Sequence, residues 1–177
     1  MARIPLVPID LAQPQQLVEA VRLRRGGKLL ELDRLLLHSP PLTEGWNVYL
    51  GAVRTKLSID PKLRELAICA VAVLNRAGYE YAAHLPEFVK AGGTHEQGEA
   101  IHRIEAEINN GDLFDVVERA TLKLTYEMTR NVQVEEDTFK AAADALGSTT
   151  AMVELIGVIA TYNMVSRFLV ALELHPS

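Results

Sequence analysis

The chain has 177 residues, 49% of them hydrophobic and 23% charged, which supplies one globular core and argues against a disordered chain. A formal net charge of −5, with Lys and Arg scattered among acids, argues against a nucleic-acid surface, and the short Arg22-Leu23-Arg24-Arg25 cluster reads as a solvated helix end. The single Cys69 excludes an intrachain disulfide and a two-thiol redox centre within one chain.

Met1-Ala2-Arg3-Ile4-Pro5 is broken by proline at once, and again at Pro8 and Pro14, so it has no signal peptide's basic start and apolar centre. The longest uncharged run near the C-terminus, Leu155 to Ser166, is too short to cross a bilayer. These features set the expectation of a soluble, cytoplasmic protein with no membrane and no nucleic-acid partner. No segment alternates apolar and polar residues between turn signals, and helical periodicity dominates from Gln15 onward. The reading is an all-α single domain over 1–177, with an N-terminal extension and first helix in 1–27 and a core in 42–130.

In chain order, helices are expected over Gln15–Arg25 and Lys28–Leu37, separated by Gly26-Gly27, and over Leu42–Thr55 after Pro40-Pro41. The last of these carries Trp46, most simply a packing residue. Asp60-Pro61 opens the next helix, with Asp capping free amides and Pro at the first helical position, and it runs to about Asn75. Asn75-Arg76-Ala77-Gly78 breaks the chain before a helix over Tyr79–Ala91, kinked at Pro86 and stopped by Gly92-Gly93. Thr94-His95-Glu96-Gln97 has capping-box spacing and opens a helix to about Asn109. Asp112 or Asp115 starts the next, through Met128, followed by Glu135–Leu146. Ser148 caps a last helix whose Met152, Leu155, Ile156, Ile159, Tyr162, Asn163 and Ser166 share one face.

The chemistry-bearing residues concentrate between Glu65 and His84. Glu80 and His84, four apart on one helical face, can hydrogen-bond and tune each other's proton affinity. Near a helix start the dipole lowers the Glu80 pKa, while burial against Tyr79, Tyr81 and the preceding apolar helix raises it. A hairpin folded at Ala77 places Glu65 opposite Val89, about 13 Å along the axis from Glu80 at about 1.5 Å per residue. Glu65 alone reads equally well as an ion-pair partner of Lys62 or Arg64, or as the buried partner of a core histidine. His84 alone reads as a core or interface histidine. Cys69, inside the apolar run Leu66–Leu74 with no cation within a turn, reads as an inert buried thiol. No third ligand stands at a recognisable spacing from Glu80 and His84, and His95 and His102 do not complete a set, so no metal is assigned. Arg76 beside the break, and Asn163 and Arg167 on the terminal helix, are candidate anchors for an anionic substrate. For Arg76 exposure is the alternative, and for Arg167 a salt bridge within or between subunits is slightly favoured over substrate binding.

Glu65, Ala77, Glu80 and His84 fall at the spacings of the Glu, the two motif cysteines and the His of the alkylhydroperoxidase AhpD-like proteins. Both cysteines are missing. Tyr79-Glu80-Tyr81-Ala82-Ala83-His84 is similar to the Tyr-Glu-Trp-x-x-His run of other branches, with Tyr81 where Trp is usual. The chain thus resembles the carboxymuconolactone decarboxylase family, and the likeness extends to Arg25-Gly26-Gly27, His38-Ser39-Pro40-Pro41-Leu42 and Tyr162–Phe168. The resemblance implies an AhpD-like helical bundle assembled as homotrimers or homohexamers. It also implies a cofactor-independent lyase for a small-molecule acid, with Glu65 (a proton relay), Glu80 and His84 as candidate catalytic residues. Tyr79, Tyr81, Arg76, Asn163 and Arg167 are the candidate substrate-binding residues. A thiol peroxidase is the alternative, disfavoured by the absent thiols, and a non-catalytic oligomeric scaffold is the third.

Overall fold

The computed structural model describes residues 2–176; Met1 and Ser177, the ends of the expected domain, lie outside the described residues. Among the described residues every regular element is a helix. Among the described residues the chain divides into two compact units, 2–57 with Leu172–His175, and Ser58–Ala171 with Pro176.

The first unit holds α1 (Gln15–Arg24), α2 (Glu31–Leu36) and α3 (Pro40–Thr55). Val18 and Val21 of α1 are fully buried in a cluster with Leu29 and Leu37. Pro40 and Pro41 stand at the first two positions of α3, where a missing amide costs nothing. The second helix is shorter than the expected Lys28–Leu37, because the Asp33 carboxylate accepts the Leu30 amide at 3.0 Å and fixes the start there.

The second unit is built around α4 (Pro61–Leu74). Leu66 to Ala72 are almost completely buried, since α4 is flanked by α5 (Gly78–Lys90), α8 (Val116–Arg130) and α10 (Thr149–Ala171). Asp60 caps α4 through the Lys62 amide at 2.7 Å, as its position in the sequence predicts. Three helices end alike. The second residue past the cap donates to the carbonyl five residues back, in Gly27–Arg22, Ala77–Ala72 and Gly93–Phe88, with Gly26, Arg76 and Gly92 in the left-handed region. Arg76 is the exception in kind, a side-chain-bearing residue at φ 58°.

A further expectation changes, and one pair of alternatives is decided. Residues 94–110 form α6 (His95–Ile101) and α7 (Ile104–Asn110), not one helix, because the chain tightens to i→i+3 bonds at His102 and Arg103. Asp115, not Asp112, caps α8, exchanging hydrogen bonds with Glu118 in a capping box. Beyond α8, α9 (Glu136–Leu146) closes at Gly147 in the left-handed region, and Ser148 Oγ accepts the Ala151 amide at the start of α10. With 23 residues that include an 18-residue stretch of mean hydropathy 1.4, α10 is long and apolar enough to cross a membrane by length and composition, and 50% of that stretch is buried inside the fold. It carries Glu154, which accepts from the Ser58 and Ile59 amides, and buried polar side chains at Thr161, Asn163 and Ser166.

Candidate functional site

Glu65 on the second turn of α4 and His84 on the second turn of α5 meet in the interior. His84 Nδ1 lies 2.7 Å from Glu65 Oε2, with Glu65 3% and His84 6% exposed. Arg64 Nε donates to the other carboxylate oxygen at 3.1 Å. The His84 ring meets Tyr162 of α10 edge to face, with centroids 5.0 Å apart. The expected Glu80–His84 hydrogen bond is absent; Glu65 takes that place. In a hairpin folded at Ala77, Glu65 and His84 differ in axial height by only about 7.5 Å, against about 13 Å for Glu65 and Glu80, at about 1.5 Å per residue. Two long side chains and the left-handed turn at Arg76 close that gap.

Glu80 is 2% exposed, and neither carboxylate oxygen has a hydrogen-bond partner among the described residues. Burial pushes its pKa well above the ordinary carboxylate range. The competition between helix dipole and desolvation is thus decided for desolvation. Glu65 goes the other way. Burial pushes its carboxyl up, but the His84 hydrogen bond, the His84 charge and Arg64 together outweigh burial and lower it. Cys69, one turn beyond Glu65 on α4, is fully buried, and its thiol pKa is raised by burial and then by the Glu65 and Glu80 charges.

The remaining candidates fall into two further groups. Tyr81 and Arg76 line a cavity of about 260 Å³ with Ala72, Val73, Gly78 and His102. The Tyr81 ring packs edge-on against His102 at 5.0 Å, and its buried hydroxyl has no hydrogen-bond partner among the described residues. Burial, with Cys69 and Glu99, pushes that hydroxyl's pKa up to about 12. Asn163 instead belongs to a polar knot. Its Nδ2 donates to Thr129 Oγ1 and to the Ile159 carbonyl, and its Oδ1 accepts from Asn75 at 2.9 Å and from Arg167 at 2.8 Å. Arg167 also donates to the Asn163 carbonyl. Tyr79 is half-buried at the start of α5. Sequence reading did not assign Tyr162 or His102 to the site. Tyr162 carries the signals of its place on the apolar face of the last helix and in the family-like run Tyr162–Phe168, neither of which gives it a role, and the spacing of His102 from His95 suggests only a metal ligand. Among the described residues no group of three His, Cys, Asp or Glu is arranged to hold a metal.

Residues 40–123 match the model of the carboxymuconolactone decarboxylase family. The chain is similar to the crystal structure of an uncharacterized peroxidase-related protein from Silicibacter sp. TM1040, with a TM-score of 0.78 and 16% identity over 99% of this chain and 90% of that one. It is also similar to the debrominase Bmp8. A cysteine-to-alanine variant in complex with 2,3,4-tribromopyrrole gives a TM-score of 0.75 at 14% identity, over 98% of this chain and 92% of that one. The apo form gives 0.75 at 15%, over 94% and 88%. At these identities the likeness shows a shared fold. No curated protein matches the chain.

Proposed function

We propose that this chain, whose residues 40–123 belong to the carboxymuconolactone decarboxylase family, is a cofactor-independent carboxy-lyase acting on a small unsaturated acid such as a carboxylated lactone. One observation carries the reading: two buried carboxyls of the same unit are driven in opposite directions, Glu65 down by its partners and Glu80 up by burial. Titratable groups pushed apart in this way supply one group that holds a proton and one that stays ionised at the same pH.

Loss of carbon dioxide breaks a carbon–carbon bond and leaves its electron pair on a conjugated carbon. Glu80 gives its carboxyl proton to that carbon, forming the new C–H bond and leaving a carboxylate in a site that disfavours charge. That carboxylate is reprotonated from solvent, which restores the acid. Glu65 and Tyr162 fix the His84 ring beside this centre. Arg76, with Tyr81 and His102 around the cavity they line, holds the substrate carboxylate, and Tyr79 shapes the approach. Asn163 and Arg167 act from the polar knot on α10. Assembly as trimers or hexamers belongs to the same reading, and the exposed Val153, Met164 and Val170 of α10 offer apolar surface for it.

A thiol peroxidase needs a thiolate and a resolving thiol. Ala77 and Glu80 stand at the two cysteine positions, and burial with two neighbouring carboxyls keeps Cys69 protonated. The test follows loss of the conjugated chromophore of carboxylated muconolactones by wild type and Glu80→Gln, beside a peroxide-consumption assay. Wild-type turnover that falls about 100-fold or more in the variant is expected for loss of a general acid. Peroxide turnover that depends on Cys69 would overturn the lyase reading.

A further inference from the structure

Gly98 lies inside α6 and is buried, yet its backbone is outside the left-handed region that favours glycine. Glycine in a helix interior is less stable than alanine, so its use here answers to a neighbour rather than to the backbone. A Cβ on Gly98 would collide with Leu85 Cδ1 of α5 and stand 3.4 Å from the Tyr81 hydroxyl oxygen. Tyr81 and Leu85 are four apart on α5 and share a face. The bare Cα of Gly98 lets that face lie directly on the α6 backbone.

The same contact reaches the cavity. His102, one turn beyond Gly98 at the end of α6, meets the Tyr81 ring edge to face with centroids 5.0 Å apart. Both rings line the cavity of about 260 Å³, whose other lining residues, Ala72, Val73, Arg76 and Gly78, belong to α4, to the turn after it and to the start of α5. His102 is thus what α6 contributes to the lining. Neither the Tyr81 hydroxyl nor the His102 ring nitrogens make a hydrogen bond among the described residues, so no polar contact fixes the two rings. Their separation follows the spacing of α5 and α6, which Gly98 sets. A cavity this small takes a single-ring acid, and a helix displaced by the width of a methyl group changes what fits. The bland explanation, a glycine that only lets two helices close, predicts that a larger residue alters stability and leaves the cavity as it is.

We infer that Gly98 is a positioning residue for substrate selection: its missing side chain sets the approach of α6 to α5, holds His102 against Tyr81 and fixes the width of the cavity. Gly98 does not itself line the cavity. The inference rests on the reading of this cavity as the place that holds the substrate carboxylate.

The test uses the full chain with benzoate as probe and needs no turnover. Nuclear Overhauser contacts between the Tyr81 and His102 rings report their separation, calorimetric titration reports affinity, and thermal denaturation reports folding. Wild type should show the ring contacts, together with saturable benzoate binding that shifts the His102 ring resonances. Gly98→Ala should lose the ring contacts and weaken benzoate at least tenfold. Gly98→Ala/Leu85→Ala, which removes the colliding atom, should recover both to the level of Leu85→Ala alone. Leu85→Phe crowds the same contact from α5; it should act as Gly98→Ala does, and it decides the matter if Gly98→Ala does not fold. Absence of benzoate binding by wild type removes the cavity reading and this inference with it. Binding by wild type that the crowding variants leave unchanged, ring contacts that survive in them, or a loss that the double variant does not recover overturns the inference alone.

Discussion

Glu65 and Glu80 are buried in one helical unit, yet one carboxyl has His84 and Arg64 on its oxygens and the other has no hydrogen-bond partner among the described residues. Their titrations therefore act on stability with opposite signs. For Glu80 the folded pKa is raised, so its contribution is fully present below the unfolded value near 4.5 and is lost as pH rises toward the folded value. The loss is about 1.4 kcal/mol per pH unit within that window. Glu80→Gln removes it. Measured from pH 5 to pH 8, the Tm of the variant should rise steadily relative to wild type; a difference independent of pH would show that Glu80 titrates normally.

For Glu65 the folded pKa is depressed, so its contribution is present above the unfolded value near 4.5 and is lost as pH falls through the folded value. Glu65→Gln keeps the shape and removes the charge that His84 and Arg64 bind. A cost of about 2 kcal/mol at pH 7 is expected for charge-assisted hydrogen bonds of this kind. Denaturant unfolding at pH 7 and pH 3 checks it, and the gap between variant and wild type should narrow at the lower pH.

The helix starts were legible because their chemistry is local: Asp60-Pro61, Thr94 to Gln97 and Ser148 each carry the capping groups that the structure uses. Glu65 and His84 were picked out by resemblance to the family, and the alternative reading of Glu65, as partner of Arg64 or of a core histidine, matches the contacts it makes, but which histidine it meets was not legible. It depends on how α5 crosses α4, which no local signal fixes, and the obvious i,i+4 partner of His84 was Glu80. The Glu80 pKa could not be read from sequence either, since the helix dipole and burial oppose each other and only packing measures the burial. The split at His102 and Arg103 lacks Gly or Pro and left no mark in composition.

Cys69 provides a control on the thiol chemistry. Its side chain is fully buried and held protonated by burial and by Glu65 and Glu80. In the native protein a thiol-specific reagent should react only through unfolding, at a rate that rises with denaturant and levels off with reagent at the opening rate, whereas an accessible thiolate would react in proportion to reagent. Cys69→Ala should leave lactone turnover within about twofold and cost about 1 kcal/mol of stability for the small cavity. A variant that loses turnover a hundredfold would put the thiol into the chemistry.

Arg76 occupies the position that Gly26 and Gly92 fill at the ends of α1 and α5, at φ 58°. A left-handed conformation costs a residue with a Cβ about 1–2 kcal/mol. Glycine relieves that strain and gives back about 0.5–1 kcal/mol through the greater freedom of the unfolded chain. Arg76→Gly should therefore stabilise the second unit by about 0.5–1 kcal/mol, since Arg76 is exposed and makes no ion pair among the described residues. Strain retained at a residue lining the cavity beside Tyr81 and His102 points to a use for the guanidinium. The same variant should accordingly raise KM for an anionic substrate several-fold with kcat little changed, while Arg76→Lys recovers part of the loss. Stabilisation without any change in KM would assign Arg76 to the turn alone.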